Sequence, residues 1–138
     1  MKSILILFGL VASLLPTDNP KLTIKISNIQ KIQGEIKVGV FNKENNFLKD
    51  GSAIKNYVIK VKKDSETLVI TDLPKGEYAV SMYHDTNSDN KLNTNFIGIP
   101  KEPYGFSNNV KPKMAAPKYG DCKFSLSENT TMNIKMLH

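Results

Sequence analysis

The residues best suited to chemistry lie in HDTNSDNKLNTN, positions 84–95. Asp85, Asn87 and Asp89 place side-chain oxygens at alternate positions, and Lys91, Asn93 and Asn95 continue the alternation. Oxygen donors at every second residue let a tight loop wrap one hard cation, and the first three match positions one, three and five of an EF-hand calcium loop. Lys91 at position seven offers a backbone carbonyl, and Leu92 supplies the apolar residue after it. Two positions depart from that pattern. Asn90 replaces the glycine of position six, although Asn tolerates left-handed backbone. Phe96 stands at position twelve, where a bidentate Glu closes the shell. Closure then falls to Asn93, Asn95 or a more distant carboxylate such as Glu102. With two carboxylates in the loop and Lys91 inside it, calcium is expected to bind weakly, in the roughly millimolar range of extracellular modules. The competing expectation is that these side chains bond their own backbone as Asx turns and hold no ion.

Other constellations ask for more than the spacing supplies. His84, Asp85 and Glu102 could form a general acid–base set, with Ser107 as a hydrolase nucleophile. His84, however, shares a strand face with Tyr78, Val80 and Met82. Its expected role is to cap the edge of the core and bond a loop carbonyl. A zinc site needs about four ligands, and the second histidine, His138, is the last residue. In YGFSNN, Tyr104 and Phe106 with Asn108 offer an aromatic and amide surface of the kind that binds sugars or peptides. The same residues could instead plug the end of the fold, with Asn108 and Asn109 satisfying loop backbone. The residues that define a binding surface are therefore His84, Glu102, Tyr104, Ser107 and Asn108.

The elements that must position these side chains are strands. Period-2 alternation runs through KLTIKISNI (21–29), GEIKVGVFN (34–42), NYVIKVKK (56–63), ETLVITDL (66–73), GEYAVSMYHD (76–85), CKFSLS (122–127) and TTMNIKML (130–137). Such alternation marks sheets with one dry and one wet face. About seven short strands separated by turn chemistry predict a single antiparallel β-sandwich, transthyretin- or immunoglobulin-like. NNFLKDGSAIK (45–55) is at best a loop or one helical turn. Cys122, the one cysteine, alternates with Phe124 and Leu126 and reads as a small buried hydrophobe on a strand. The L-P-x-G-x-Y corner at Leu73–Tyr78 resembles that of transthyretin-like and collagen-adhesin B-type sandwiches. Between 85 and 120 lies a long connection with four prolines, Pro100, Pro103, Pro112 and Pro117. Connections of this length are usually functional or disordered, and its apolar residues argue for packing.

Residues 1–15 read as a signal peptide, with Lys2 ahead of the apolar run ILILFGLVASLL and cleavage after Ser13 or Leu15. The run is short of the ~20 residues that span a bilayer, so no stable membrane insertion is expected after cleavage. Residues 16–138 form the sandwich, in a secreted or periplasmic protein. All 19 basic residues are Lys, against 13 acidic residues, for a net charge of +6. Lysines scattered along strands, with no Arg to fork onto phosphate, exclude a nucleic-acid binder.

HDTNSDNKLNTNFIGIPKEPYGFSNN (84–109), followed by PKYGDCKFSL (117–126), resembles the bacterial secreted family domain of unknown function 2141. The residues that carry the resemblance are His84, Asp85, Asn87, Lys91, Leu92, Asn95, Gly98, Pro100, Glu102, Tyr104, Gly105, Phe106, Ser107 and Asn108. Asn93 departs from it, standing where the family is expected to carry Asp. The resemblance implies export and a β fold, and brings no activity with it. The expectation is an exported, non-catalytic binding module that uses 84–109 to meet an extracytoplasmic ligand or protein, with calcium as a weak stabiliser. The alternatives are an accessory structural domain with a plugged loop, or a hydrolase using His84 and Glu102.

Overall fold

Alternating apolar residues pair into two sheets that close over one core. The computed structural model describes residues 18–90 and 101–138. In chain order the strands are β1 (Leu22–Ser27), β2 (Glu35–Phe41), β3 (Lys55–Lys60), β4 (Glu66–Ile70), β5 (Gly76–Asp85), β6 (Tyr104–Phe106), β7 (Phe124–Leu126) and β8 (Thr130–Lys135). One sheet has the order β4-β1-β8 and the other β3-β2-β5-β6. The ten-residue β5 carries two short strands on one edge, β7 opposite Gly76–Tyr78 and β6 opposite Ser81–Tyr83. Every pairing is antiparallel except β1 with β8, whose register sets Leu22 beside Thr130. The β-sandwich architecture expected from the alternation is the one observed.

The core is filled from both sheets. Leu22, Ile24 and Ile26 of β1 and Ile134 of β8 meet Ile36, Val38 and Val40 of β2 and Val80 and Met82 of β5. Each fully buried aliphatic side chain contributes about 1.5–3 kcal/mol of transfer free energy. Close approach of the sheets demands Gly105 in β6, where a Cβ would lie 2.8 Å from Ile134 Cγ2.

A 3-10 turn at Glu44–Asn46 overlaps the segment 45–55 expected to be a loop or one helical turn. Two local details differ from the sequence reading. A short helix, α1 (Tyr119–Cys122), places Cys122 on a helical turn instead of a strand; the side chain is nonetheless fully buried. Strand β6 adds an element to the predicted seven. The corner before β5 forms as expected, with the Tyr78 hydroxyl donating to the Pro74 carbonyl at 2.6 Å. Tyr78→Phe is expected to lower stability by about 1 kcal/mol with an unchanged urea m value; an unchanged midpoint would show that the hydroxyl contributes nothing. Among the described residues no helix is long and apolar enough to cross a membrane.

Candidate functional site

The C-terminal end of β5 splits neighbouring side chains between the two faces of its sheet. Register sets His84 opposite Ile36 and Asp85 opposite Glu35, and successive strand residues point to opposite faces. His84 therefore enters the core, where it is fully buried. Its Nε2 lies 2.6 Å from the Gln33 carbonyl. A carbonyl can only accept, so Nε2 carries the proton. Nδ1 is buried with no hydrogen-bond partner among the described residues.

Asp85 is also fully buried, on the other face. Its Oδ2 accepts from the Asn90 amide at 2.8 Å and its Oδ1 from the Asp89 amide at 3.2 Å. Asn87 Oδ1 accepts from the Asp89 amide at 3.3 Å. Asx-type bonds thus shape the turn, and Ser88 (φ 57°) and Asn90 (φ 63°) adopt left-handed backbone. Asn at position six takes the conformation a glycine would have supplied.

Glu102 reaches this turn from the far side of the long connection. Its Oε2 accepts from the Thr86 amide at 2.8 Å and from Thr86 Oγ1 at 3.2 Å, and the residue is 6% exposed. Carboxylate oxygens of Asp85, Asp89 and Glu102 all lie within 4.8 Å of one another. Three carboxylates this close could share one hard cation. Asp89 is exposed while the other two are buried, which leaves one side open to solvent. Their combined field is felt by Tyr83, whose phenol is held above its ordinary pKa by burial first and then by Asp85, Glu102 and Asp89. Lys91, Asn93 and Asn95, along with Leu92, lie outside the described residues.

The remaining predicted residues tie the connection down. Ser107 is fully buried; its Oγ accepts from the Val80 amide at 2.9 Å and donates to the Cys122 carbonyl at 2.6 Å. Asn108 is exposed, and its amide donates to the carbonyls of Asp121 (3.1 Å) and Lys123 (2.9 Å). Asn109 Oδ1 accepts from the Lys135 amide of β8 at 2.8 Å. Phe106 is buried beside Ala79, Tyr119 and Cys122, while Tyr104 is half-buried with its ring edge-on to Phe106. Burial pushes the Cys122 thiol up to about 11, helped by Asp121. At pH 8 its thiolate fraction is then on the order of a thousandth, against roughly a quarter for a free thiol. A thiol reagent such as 5,5′-dithiobis(2-nitrobenzoate) is expected to leave the native protein unlabelled for hours and to react at once in denaturant. Rapid native labelling would refute the inert reading.

Residues 24–135 match domain of unknown function 2141, described as an uncharacterized protein conserved in bacteria. The chain belongs to this family. No curated protein and no solved structure matches it. The family match runs from β1 to the end of β8, so the domain of unknown function 2141 comprises both sheets and the carboxylate cluster.

Two features of this family domain escaped the sequence reading. The first is the turn Gln33-Gly34 that buttresses the cluster. Gln33 Nε2 donates to the Thr86 carbonyl at 2.9 Å, and Gly34 has φ 68° with its Cβ position 2.1 Å from the Asp85 carbonyl oxygen. The faint sequence signal was a Gly between two strand patterns. The second is a groove of about 1160 Å³ on the outer face of the five-stranded sheet, between the chain segments 48–53 and 112–117. Tyr83, Asn90 and Tyr104 line it, so it abuts the acidic turn.

Proposed function

We propose that this protein is exported and acts as a non-catalytic binding module, with its 84–109 region as the contact surface and a calcium ion stabilising that region. The observation that carries the calcium reading is the convergence of Asp85, Asp89 and Glu102, from two separate chain segments, to within 4.8 Å. Glu102 stands in for the carboxylate that position twelve of the loop lacks. Taking charged carboxylates out of water costs several kcal/mol each, and a divalent cation between them offsets that cost. Export is supported by the apolar run behind Lys2.

The burial of His84 and Ser107 speaks against hydrolysis. A general base must reach the proton it abstracts, whereas the His84 ring faces the core and the Ser107 hydroxyl is committed to Val80 and Cys122. An accessory structural role remains the second reading, supported by the carbonyl and amide bonds of Asn108 and Asn109.

Calcium at ten times a roughly millimolar Kd contributes about 1.4 kcal/mol, which raises Tm by about 5 °C for a domain of this size. The paired variant Asp85→Ala/Asp89→Ala is expected to lose that rise. A parent protein whose Tm ignores calcium would overturn the calcium reading.

A further inference from the structure

The groove on the outer sheet face is built from small residues at its centre. Gly39 of β2 and Ser81 of β5 are paired across the sheet, and both line the groove floor. On the next row Val58 of β3 and Tyr104 of β6 flank Lys37 and Tyr83. The result is a shallow trough with apolar sides. Val58 is 54% exposed on the floor and Met114 is 99% exposed on one wall, so apolar side chains here stand in water.

The charges around the trough are unequal. Among the described residues three lysines line it, Lys37, Lys49 and Lys113, against one acid, Asp50, while the carboxylates of Asp85, Asp89 and Glu102 gather beyond its Asn90 end, away from the lysine-flanked part. Lys37 is paired with Glu35 at 3.4 Å. Lys49 and Lys113 are exposed on opposite walls, and neither joins an ion pair among the described residues. A largely apolar trough between two exposed ammonium groups complements a ligand with an apolar body and a negative head. Lysine binds such a head as a point charge, without demanding the bidentate geometry of Arg. A site lined mostly by apolar groups, with few placed charges, is the usual form of a small-molecule site.

We propose that this groove binds an anionic amphiphile, a carboxylate carried on an apolar chain, with the chain over Gly39 and Ser81 and the head between Lys49 and Lys113. This rests on the binding-module reading above and is independent of the calcium ion.

The test titrates the purified protein with dodecanoate and with dodecan-1-ol, both below the concentrations at which they aggregate, and follows backbone amide shifts. Dodecanoate is expected to shift Asn56, Ser81 and Tyr104 and to bind at least tenfold more tightly than the alcohol. Lys49→Glu/Lys113→Glu, at two exposed positions, is expected to weaken dodecanoate at least tenfold and leave the alcohol unchanged. Val58→Glu, also at an exposed position, is expected to weaken both ligands. Equal affinity for acid and alcohol, no effect of the lysine pair, or shifts confined to other faces would overturn the proposal. So would preferential binding of an acidic peptide. Dodecanoate binding that survives in Asp85→Ala/Asp89→Ala supports the groove whatever calcium does. A calcium-dependent Tm without dodecanoate binding overturns the groove and leaves the calcium reading intact.

Discussion

Gly34→Ala is expected to lose about 2–5 kcal/mol of stability, a large share of the roughly 5–15 kcal/mol that holds a domain of this size. Two costs add. A left-handed backbone costs a residue with a Cβ about 1–2 kcal/mol, and Gly34 sits at φ 68°. The new methyl would also stand 2.1 Å from the Asp85 carbonyl oxygen and 3.0 Å from the Thr86 Cα. Backbone atoms cannot swing aside as a side-chain end can, so overpacking adds about 1–3 kcal/mol. Gly51 separates the two costs. It has φ 72° but nothing within 4 Å of its Cβ position, so Gly51→Ala incurs the backbone cost alone. Urea denaturation of both variants measures the difference, and equal midpoints would show that the approach of residue 34 to residue 85 is not tight. Relaxation at residue 34 would displace Asp85 and Thr86, so the variant that folds is expected to lose any calcium-dependent rise in Tm that the parent shows.

Gly34 also marks the limit of what alternation could convey. Strands such as β1 and β8 were legible because each carries at least two full apolar-polar periods, as in Leu22-Ile24-Ile26 against Thr23-Lys25-Ser27. Strand β6 spans only Tyr104–Phe106, less than two periods, and its existence depends on pairing with Ser81–Tyr83 of a distant segment. Cys122 shares the parity of Phe124 and Leu126, so alternation assigned it to a strand. The chain bends into α1 before that strand begins, with the Lys123 amide bonded to the Tyr119 carbonyl at 2.9 Å. Burial survives the change of element, but in another cluster: Cys122 packs with Ala79, Phe106 and Tyr119, whereas Leu126 and Phe124 pack in the main core. The parallel pairing of β1 with β8 left no trace in either segment, since register between the two ends of a chain is a tertiary property.

The candidate site divides in the same way. Asp85, Asn87 and Asp89 were legible through local spacing, as were the left-handed tolerance of Asn90 and the core-facing position of His84. Glu102 was visible only as one carboxylate among several that could close the loop. Its selection needs the connection to fold back until Thr86 meets it. The outer-face groove had no local signature, because Gly39, Ser81 and Val58 are alternating strand residues like any others until three strands set them side by side.

Glu102→Gln tests whether that selection serves an ion or only a turn. Gln keeps the shape of Glu and an oxygen that can accept from the Thr86 amide, so the turn's hydrogen bond survives in the variant. What it removes is one of three carboxylate charges gathered within 4.8 Å. Without a cation those charges repel, and in chelator the variant is expected to match the parent or exceed it by up to about 1 kcal/mol. In calcium the order is expected to reverse, because an ion held partly by Glu102 would give the parent linkage free energy that the variant forfeits. A tenfold loss of affinity from a roughly millimolar Kd lowers the variant's calcium-dependent stabilisation by about 1 kcal/mol at ten times the parent's Kd. Paired urea titrations in chelator and in 10 mM calcium, a level set by the roughly millimolar affinity of extracellular sites, read out both signs. A variant whose difference from the parent is the same in the two conditions would mean that Glu102 acts only as a hydrogen-bonding brace for Thr86. Reversal of the order is the outcome that a brace cannot produce.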